Sequence, residues 1–187
     1  MKSSYIFIVL AIMVFVSCSK DETPTDSSTN SVIMPLKFGN KWISRITAYD
    51  SIGSVLSSGY DTIHITSDTI IQGVNWYNGL YANRPDGLWL REGGGIFLFA
   101  KYPASINDSY YINFGNDSVK VISTNMSVTV PSGNYSCYQY RITHHGNTEV
   151  IFYFAVDKGF IKAEYYTTKN GRTYELIVLE LQTLILH

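Results

Sequence analysis

The chain has 187 residues, with 14 Lys and Arg against 15 Asp and Glu. That balance excludes the basic stripe on which nucleic-acid binding depends, and two cysteines are too few for a disulfide framework. The 15 Tyr, 9 Phe and 3 Trp, with plentiful Thr, Val and Ile, favour pleated, half-buried strands over helices.

The chain begins with Met1-Lys2-Ser3-Ser4, a short positive start, followed by an almost unbroken apolar run from Tyr5 to Val16. The run is shorter than the ~20 residues of a membrane-spanning helix and matches the apolar centre of a secretory signal. Phe15-Val16-Ser17-Cys18 ends it and resembles a bacterial lipobox, with Phe15 where Leu is usual. The resemblance implies cleavage before Cys18 and lipidation of that cysteine with a palmitate-type chain, so residues 1–17 read as a signal peptide forming a short helix. Ser19-Lys20-Asp21-Glu22 is similar to the export signal of Bacteroidota-type surface lipoproteins. It implies an outer-membrane protein anchored by its lipid and facing the cell exterior. Residues 18–32 form the lipidated cysteine and tether. From Thr23 to Ser31 no apolar side chain is available to bury, so this stretch is expected to be disordered. From Ser19 to Ser31 such a chain spans roughly 20 Å on average and at most about 45 Å.

Residues 33–187 are then a single domain, expected to be all-β: an antiparallel meander curled into a barrel or sandwich. Strands are expected at Trp42–Tyr49, Tyr60–Thr66, Asn75–Tyr81, Leu88–Arg91, Ile96–Tyr102 and Tyr110–Phe114, then at Val119–Val130, Tyr135–His144, Glu149–Ala155, Phe160–Thr167 and Thr173–Leu186. Gly- and Asn-rich turns separate them, and Asn170-Gly171 is the strongest hairpin signal. Ile63 and Ile65 should face the core while Thr62, His64 and Thr66 face water. In Ile96–Tyr102, Ile151–Phe154 and Leu176–Leu179 both faces are apolar, so these strands should be covered on both sides.

Three segments together resemble a group of Bacteroidota-type lipoprotein domains: Pro35-Leu36-Lys37-Phe38-Gly39-Asn40-Lys41-Trp42, Val130-Pro131-Ser132-Gly133-Asn134-Tyr135, and Tyr153-Phe154 through Gly159-Phe160-Ile161-Lys162. The resemblance implies fold and location and carries no catalytic residues. Gly133 and Gly159 are expected to adopt backbone angles that a side chain would forbid.

No catalytic set stands out. His144 and His145 are adjacent and would point to opposite strand faces, and His64 and His187 lack ligand spacing to them, so no metal site is expected. Gly93-Gly94-Gly95 lacks the Lys-Ser/Thr of a phosphate loop and reads as a hairpin turn. Cys137 reads as a small buried hydrophobe. Asp86, Glu92, Glu149 and Glu164 show no pairing, and neither a cofactor nor an enzymatic activity is expected. Trp76, Tyr77, Tyr81 and Trp89, around Arg84-Pro85-Asp86-Gly87, are candidate ligand-binding residues that would offer a platform for sugar rings. The alternative is ordinary core, with Trp76 and Leu80 on one strand face. Ser51, Thr62, Thr69 and Ser118 each follow Asp and precede an aliphatic residue, a pattern seen in O-glycosylation of exported Bacteroidota proteins.

Two functions remain open at this stage. One is a non-enzymatic surface lipoprotein, a binding or interaction module for a glycan or protein, attached to the membrane through its lipid. The other is a carrier of a lipid or other apolar ligand. A cavity lined by Phe97, Phe99, Phe152 and Phe154 would mark the carrier, and a solid core the interaction module.

Overall fold

A computed structural model describes residues 31–112, 117–144, 148–169 and 171–187. The signal peptide, Cys18, Ser19 to Glu22 and the tether up to residue 30 lie outside the described residues. So do Phe114, the Gly115-Asn116 and His145-Gly146-Asn147 turns, and Asn170.

The described residues are all-β and antiparallel. The strands are β1 (Lys41–Tyr49), β2 (Val55–His64), β3 (Asp68–Ile71), β4 (Val74–Tyr77), β5 (Tyr81–Arg84), β6 (Gly87–Glu92), β7 (Gly95–Lys101), β8 (Ser109–Ile112), β9 (Asp117–Val130), β10 (Gly133–Thr143), β11 (Thr148–Ala155), β12 (Gly159–Lys169) and β13 (Arg172–Ile185). They form an eight-stranded sheet in the order β2-β1-β13-β12-β11-β10-β9-β8 and a five-stranded sheet in the order β3-β4-β5-β6-β7. Each sheet is a meander, and the smaller one is inserted between β2 and β8 of the larger. Neither closes into a barrel. The arrangement is a sandwich, with apolar faces from both sheets meeting in one core. The large sheet curls strongly enough that the β9–β10 turn reaches β13, where Ser132 N donates to Leu181 O at 3.2 Å.

Local chemistry explains most of the pairing. At the Asn170-Gly171 position Lys169 pairs with Arg172, and Gly171 has φ 72, the left-handed angle a two-residue hairpin turn requires. β13 lies between β12 and β1, so its apolar Leu176–Leu179 stretch is an interior strand as expected. Glu92 pairs with Gly95, making Gly93-Gly94 a hairpin turn.

Several expectations need correction. The segment Asn75–Tyr81 is two strands, β4 and β5, because Asn78 (φ 52) and Gly79 (φ 67) turn the chain between them. Asn78 also ties this turn to the preceding segment: its Nδ2 donates to His64 O at 2.7 Å, and its Oδ1 accepts from Thr66 N at 3.0 Å. Leu80 therefore sits in a turn, 43% exposed, and shares no strand face with Trp76. The additional strand β3 is held by its pairing with β4, Ile71 opposite Val74, and not by a buried face of its own. Towards its start, β2 extends beyond the expected Tyr60 through wholly exposed residues that pair with β1.

Burial follows the alternation on most strands. Ile65 is fully buried and Ile63 packs against the core, while Thr62 and Thr66 are exposed. β11 is covered on both faces by different means. Phe152 and Phe154 enter the sandwich, whereas Tyr153 on the outer face donates to Glu164 Oε2 at 3.0 Å, which also accepts from Tyr166 at 3.1 Å. Lys162 Nζ lies 2.8 Å from the same carboxylate. β7 is not covered throughout, since Ile96 is 41% exposed.

The opening motif is a structural junction. Asn40 is buried; its Nδ2 donates to Pro35 O at 2.7 Å and its Oδ1 accepts from His187 N at 2.8 Å. Trp42 donates through Nε1 to Lys158 O at 2.6 Å. That contact brings the opening and third motifs together, and Gly159 (φ +87) makes it fit: a Cβ there would stand 2.8 Å from both Trp42 Nε1 and Met34 Cγ. Gly133, with φ +140, also meets the expectation of an angle that side chains rarely adopt. The N-terminal segment is tied down next to this junction, with Val32 N donating to Asp157 Oδ1 at 2.9 Å and Asp157 N donating to Val32 O at 2.8 Å.

Candidate functional site

A cavity of about 260 Å³ lies between the two sheets. On the large sheet, strand alternation points Trp42 and Ser44 of β1 to one face. The register sets them opposite Ile63 and Asp61 of β2, so all four side chains enter the same space. Phe152 and Phe154 of β11, Phe160 and Tyr165 of β12 and Leu179 of β13 continue this wall. Leu88, Leu90 and Glu92 alternate along β6 to form the opposite wall, with Tyr81 of β5 beside Leu90. Phe99 arrives by a different device. β6 and β7 slip register between Leu88 and Trp89, which leaves Phe99 without a partner across the ladder and turned into the cavity.

The aromatic walls are packed ring against ring. Phe99 meets Phe152 edge-on at 5.1 Å and Phe154 at 5.9 Å; Phe152 meets Tyr165 at 6.2 Å and Phe154 meets Phe160 at 5.9 Å, all edge-on. Edge-to-face contacts at these separations hold each ring against its neighbours. Of the four phenylalanines expected to line a cavity, three do. Phe97, paired with Leu90 across the β6–β7 ladder, packs against the core and does not line the cavity.

Polar groups reach the cavity at a few places. Ser44 is 4% exposed, and its hydroxyl makes no hydrogen bond among the described residues. Asp61 and Glu92 are exposed, come from opposite sheets, and have no ion-pair partner among the described residues. Burial raises the pKa of the Tyr81 and Tyr165 hydroxyls, and the negative charges of Asp61 and then Glu92 raise both further. Both carboxylates thus act on both phenols. Among the described residues no Lys or Arg lines the cavity.

Ser44, Asp61 and Tyr165 were not singled out in the sequence as cavity residues, and Glu92 had no visible partner there. The available signal was Ser44, a small polar residue two positions from Trp42 and so on the same strand face.

The aromatic group Trp76, Tyr77, Tyr81 and Trp89 does not form one exposed platform. Trp76 is fully buried, so its ring has no free face for a sugar. The Arg84 guanidinium lies 4.2 Å from the Trp89 ring centre and 5.5 Å from that of Trp76, and Trp89 Nε1 donates to Asp86 at 2.7 Å. Tyr77 is partly buried beside Lys37 and Phe38, and Tyr81 belongs to the cavity.

Among the residues in the Asp-Ser/Thr-aliphatic pattern, Ser51, Thr62 and Thr69 are exposed and Ser118 is half-buried. Asp50 shapes its own turn by accepting from Ile52 N and Ser54 N, Asp68 accepts from Asn75, and Asp117 lies 3.1 Å from His144 Nδ1. Glu149 faces Arg141 at 3.4 Å. Cys137 is buried, and its thiol is pushed up to about 12 by burial, as suits an inert core residue. Comparison with family models, curated proteins and solved structures finds no match for this chain.

Proposed function

We propose that this protein is a lipid-anchored, surface-exposed binding module that holds a small apolar molecule between its two sheets. The cavity carries the reading. A sandwich core is normally packed to crystal-like density with few voids larger than a water molecule. Here a space of about 260 Å³, open to solvent on the side of the exposed Asp61 and Glu92, is walled by Phe99, Phe152, Phe154 and Phe160, and Ser44 lines it. The volume lies just below the usual range of ligand pockets, about 300–1,000 Å³. It therefore suits a small molecule and not a whole phospholipid. The lipobox-like Cys18 and the Ser19 to Glu22 segment support membrane attachment and surface display.

A specific observation also favours the interaction-module reading. β2 is an edge strand whose Val55, Leu56 and Tyr60 are 59%, 67% and 72% exposed. Such an edge offers unpaired backbone groups to another strand.

Native mass spectrometry of the purified protein tests the cavity reading. A bound small molecule is expected, displaced by filling the cavity with Leu90→Trp while the fold is retained. An empty protein that also binds no apolar probe would count against a ligand site.

A further inference from the structure

We infer that the molecule this cavity receives is an organic ammonium ion, an amine carried on an apolar body of about ten atoms. The inference rests on the ligand-site reading above and adds the charge of the ligand. An apolar cavity of about 150 Å³ holds one benzene ring, so about 260 Å³ accommodates a ring with a short alkyl arm. The Phe99, Phe152, Phe154 and Phe160 cage supplies the apolar part.

The polar part is acidic, and no counter-charge among the described residues lines it. Asp61 from the large sheet and Glu92 from the small sheet line the same space, and neither has an ion-pair partner among the described residues. A carboxylic ligand would meet two like charges there, with no cation among the described residues lining the cavity. A neutral ligand would leave the carboxylates unused. An ammonium group satisfies both.

The remaining polar groups fit the same ligand. Asp61 pairs with Ser44 across the β1–β2 ladder, and Ser44, a residue only 4% exposed, lines the cavity with no hydrogen-bond partner for its hydroxyl among the described residues. A hydroxyl oxygen can accept one of the three N–H donors of an ammonium while the carboxylates accept the others. Tyr81 and Tyr165 add aromatic faces, which attract cations electrostatically. The five groups come from five strands, so only the assembled sandwich brings them together.

Three ligands of nearly equal shape test this: phenylbutylammonium, phenylbutanol and phenylbutanoate, titrated calorimetrically into the wild-type protein and the Asp61→Asn/Glu92→Gln variant. Both substitutions are isosteric and at exposed positions, so folding is expected to be unaffected. In the wild type the ammonium should bind at least about tenfold more tightly than the alcohol, and the carboxylate should bind most weakly. In the variant the ammonium should fall to the level of the alcohol. Equal binding of ammonium and alcohol to the wild type would overturn the charge inference and leave the apolar cavity intact. An ammonium preference that survives in the variant would also overturn it. Failure of all three ligands to bind would overturn the ligand-site reading itself.

Discussion

Replacing Gly159 with Ala probes the junction between the opening motif and the sandwich core. The position has φ +87, which costs a residue with a Cβ about 1–2 kcal/mol. The added methyl would also stand 2.8 Å from Trp42 Nε1 and from Met34 Cγ, where real Cβ atoms essentially never sit. Both neighbours are about 1% exposed and packed in the core, so neither can swing into solvent. Overpacking of this kind adds about 1–3 kcal/mol. The 2.6 Å hydrogen bond from Trp42 to Lys158 O would have to lengthen as the indole moves. The total is about 2–5 kcal/mol, and each kcal/mol lowers the melting temperature of a domain this size by about 2–4 °C. Gly171→Ala is the control, because Gly171 has φ +72 but nothing within 4 Å of its would-be Cβ. It should therefore lose only the backbone contribution of about 1–2 kcal/mol. Urea unfolding followed by tryptophan fluorescence measures both variants. If Gly159→Ala proves no more destabilising than Gly171→Ala, the close approach of Trp42 and Met34 does not constrain the fold, and the reasoning fails.

Cys137 should resist thiol reagents in the native state and react on unfolding, since burial pushes its pKa up to about 12; rapid labelling of native protein at neutral pH would contradict this. The same shift has a pH consequence. The unfolded thiol ionises from about pH 9 while the folded one stays neutral, so its contribution to stability is complete below pH 9 and is lost as the pH rises towards 12. Denaturation midpoints of wild type and Cys137→Ala across that range should converge at the alkaline end. Cys18→Ala is expected to abolish lipid attachment, which fractionation of membranes and labelling with a fatty-acid analogue would show. Changing Lys20, Asp21 and Glu22 together to Ala should keep the lipid and move the domain to the inner leaflet, so an unchanged pattern of surface proteolysis on intact cells would reject the export-signal reading.

The strand content of this protein was legible locally. Alternation along Thr62 to Thr66, the Asn170-Gly171 pair and the glycines at 133 and 159 each state a backbone conformation within a few residues, because turn angles and side-chain alternation are short-range properties. Where short-range signals conflicted, the reading slipped. Asn78-Gly79 lay inside an apparently continuous strand, and β3 has no buried face to give it a pattern. The division into two sheets was decided only in three dimensions. The pairing of β1 with β13 joins residues more than a hundred positions apart, and no local pattern specifies it. The cavity belongs to the same class. Ser44, Asp61, Glu92 and Tyr165 are unremarkable on their own strands, and it is a register slip at β6–β7 that leaves Phe99 unpaired and lining the space. The sequence by itself determined which segments extend and where they turn, since those depend on nearest neighbours. The tertiary structure decided which faces meet, because that depends on long-range packing of two sheets and on which side chains are left facing the space between them.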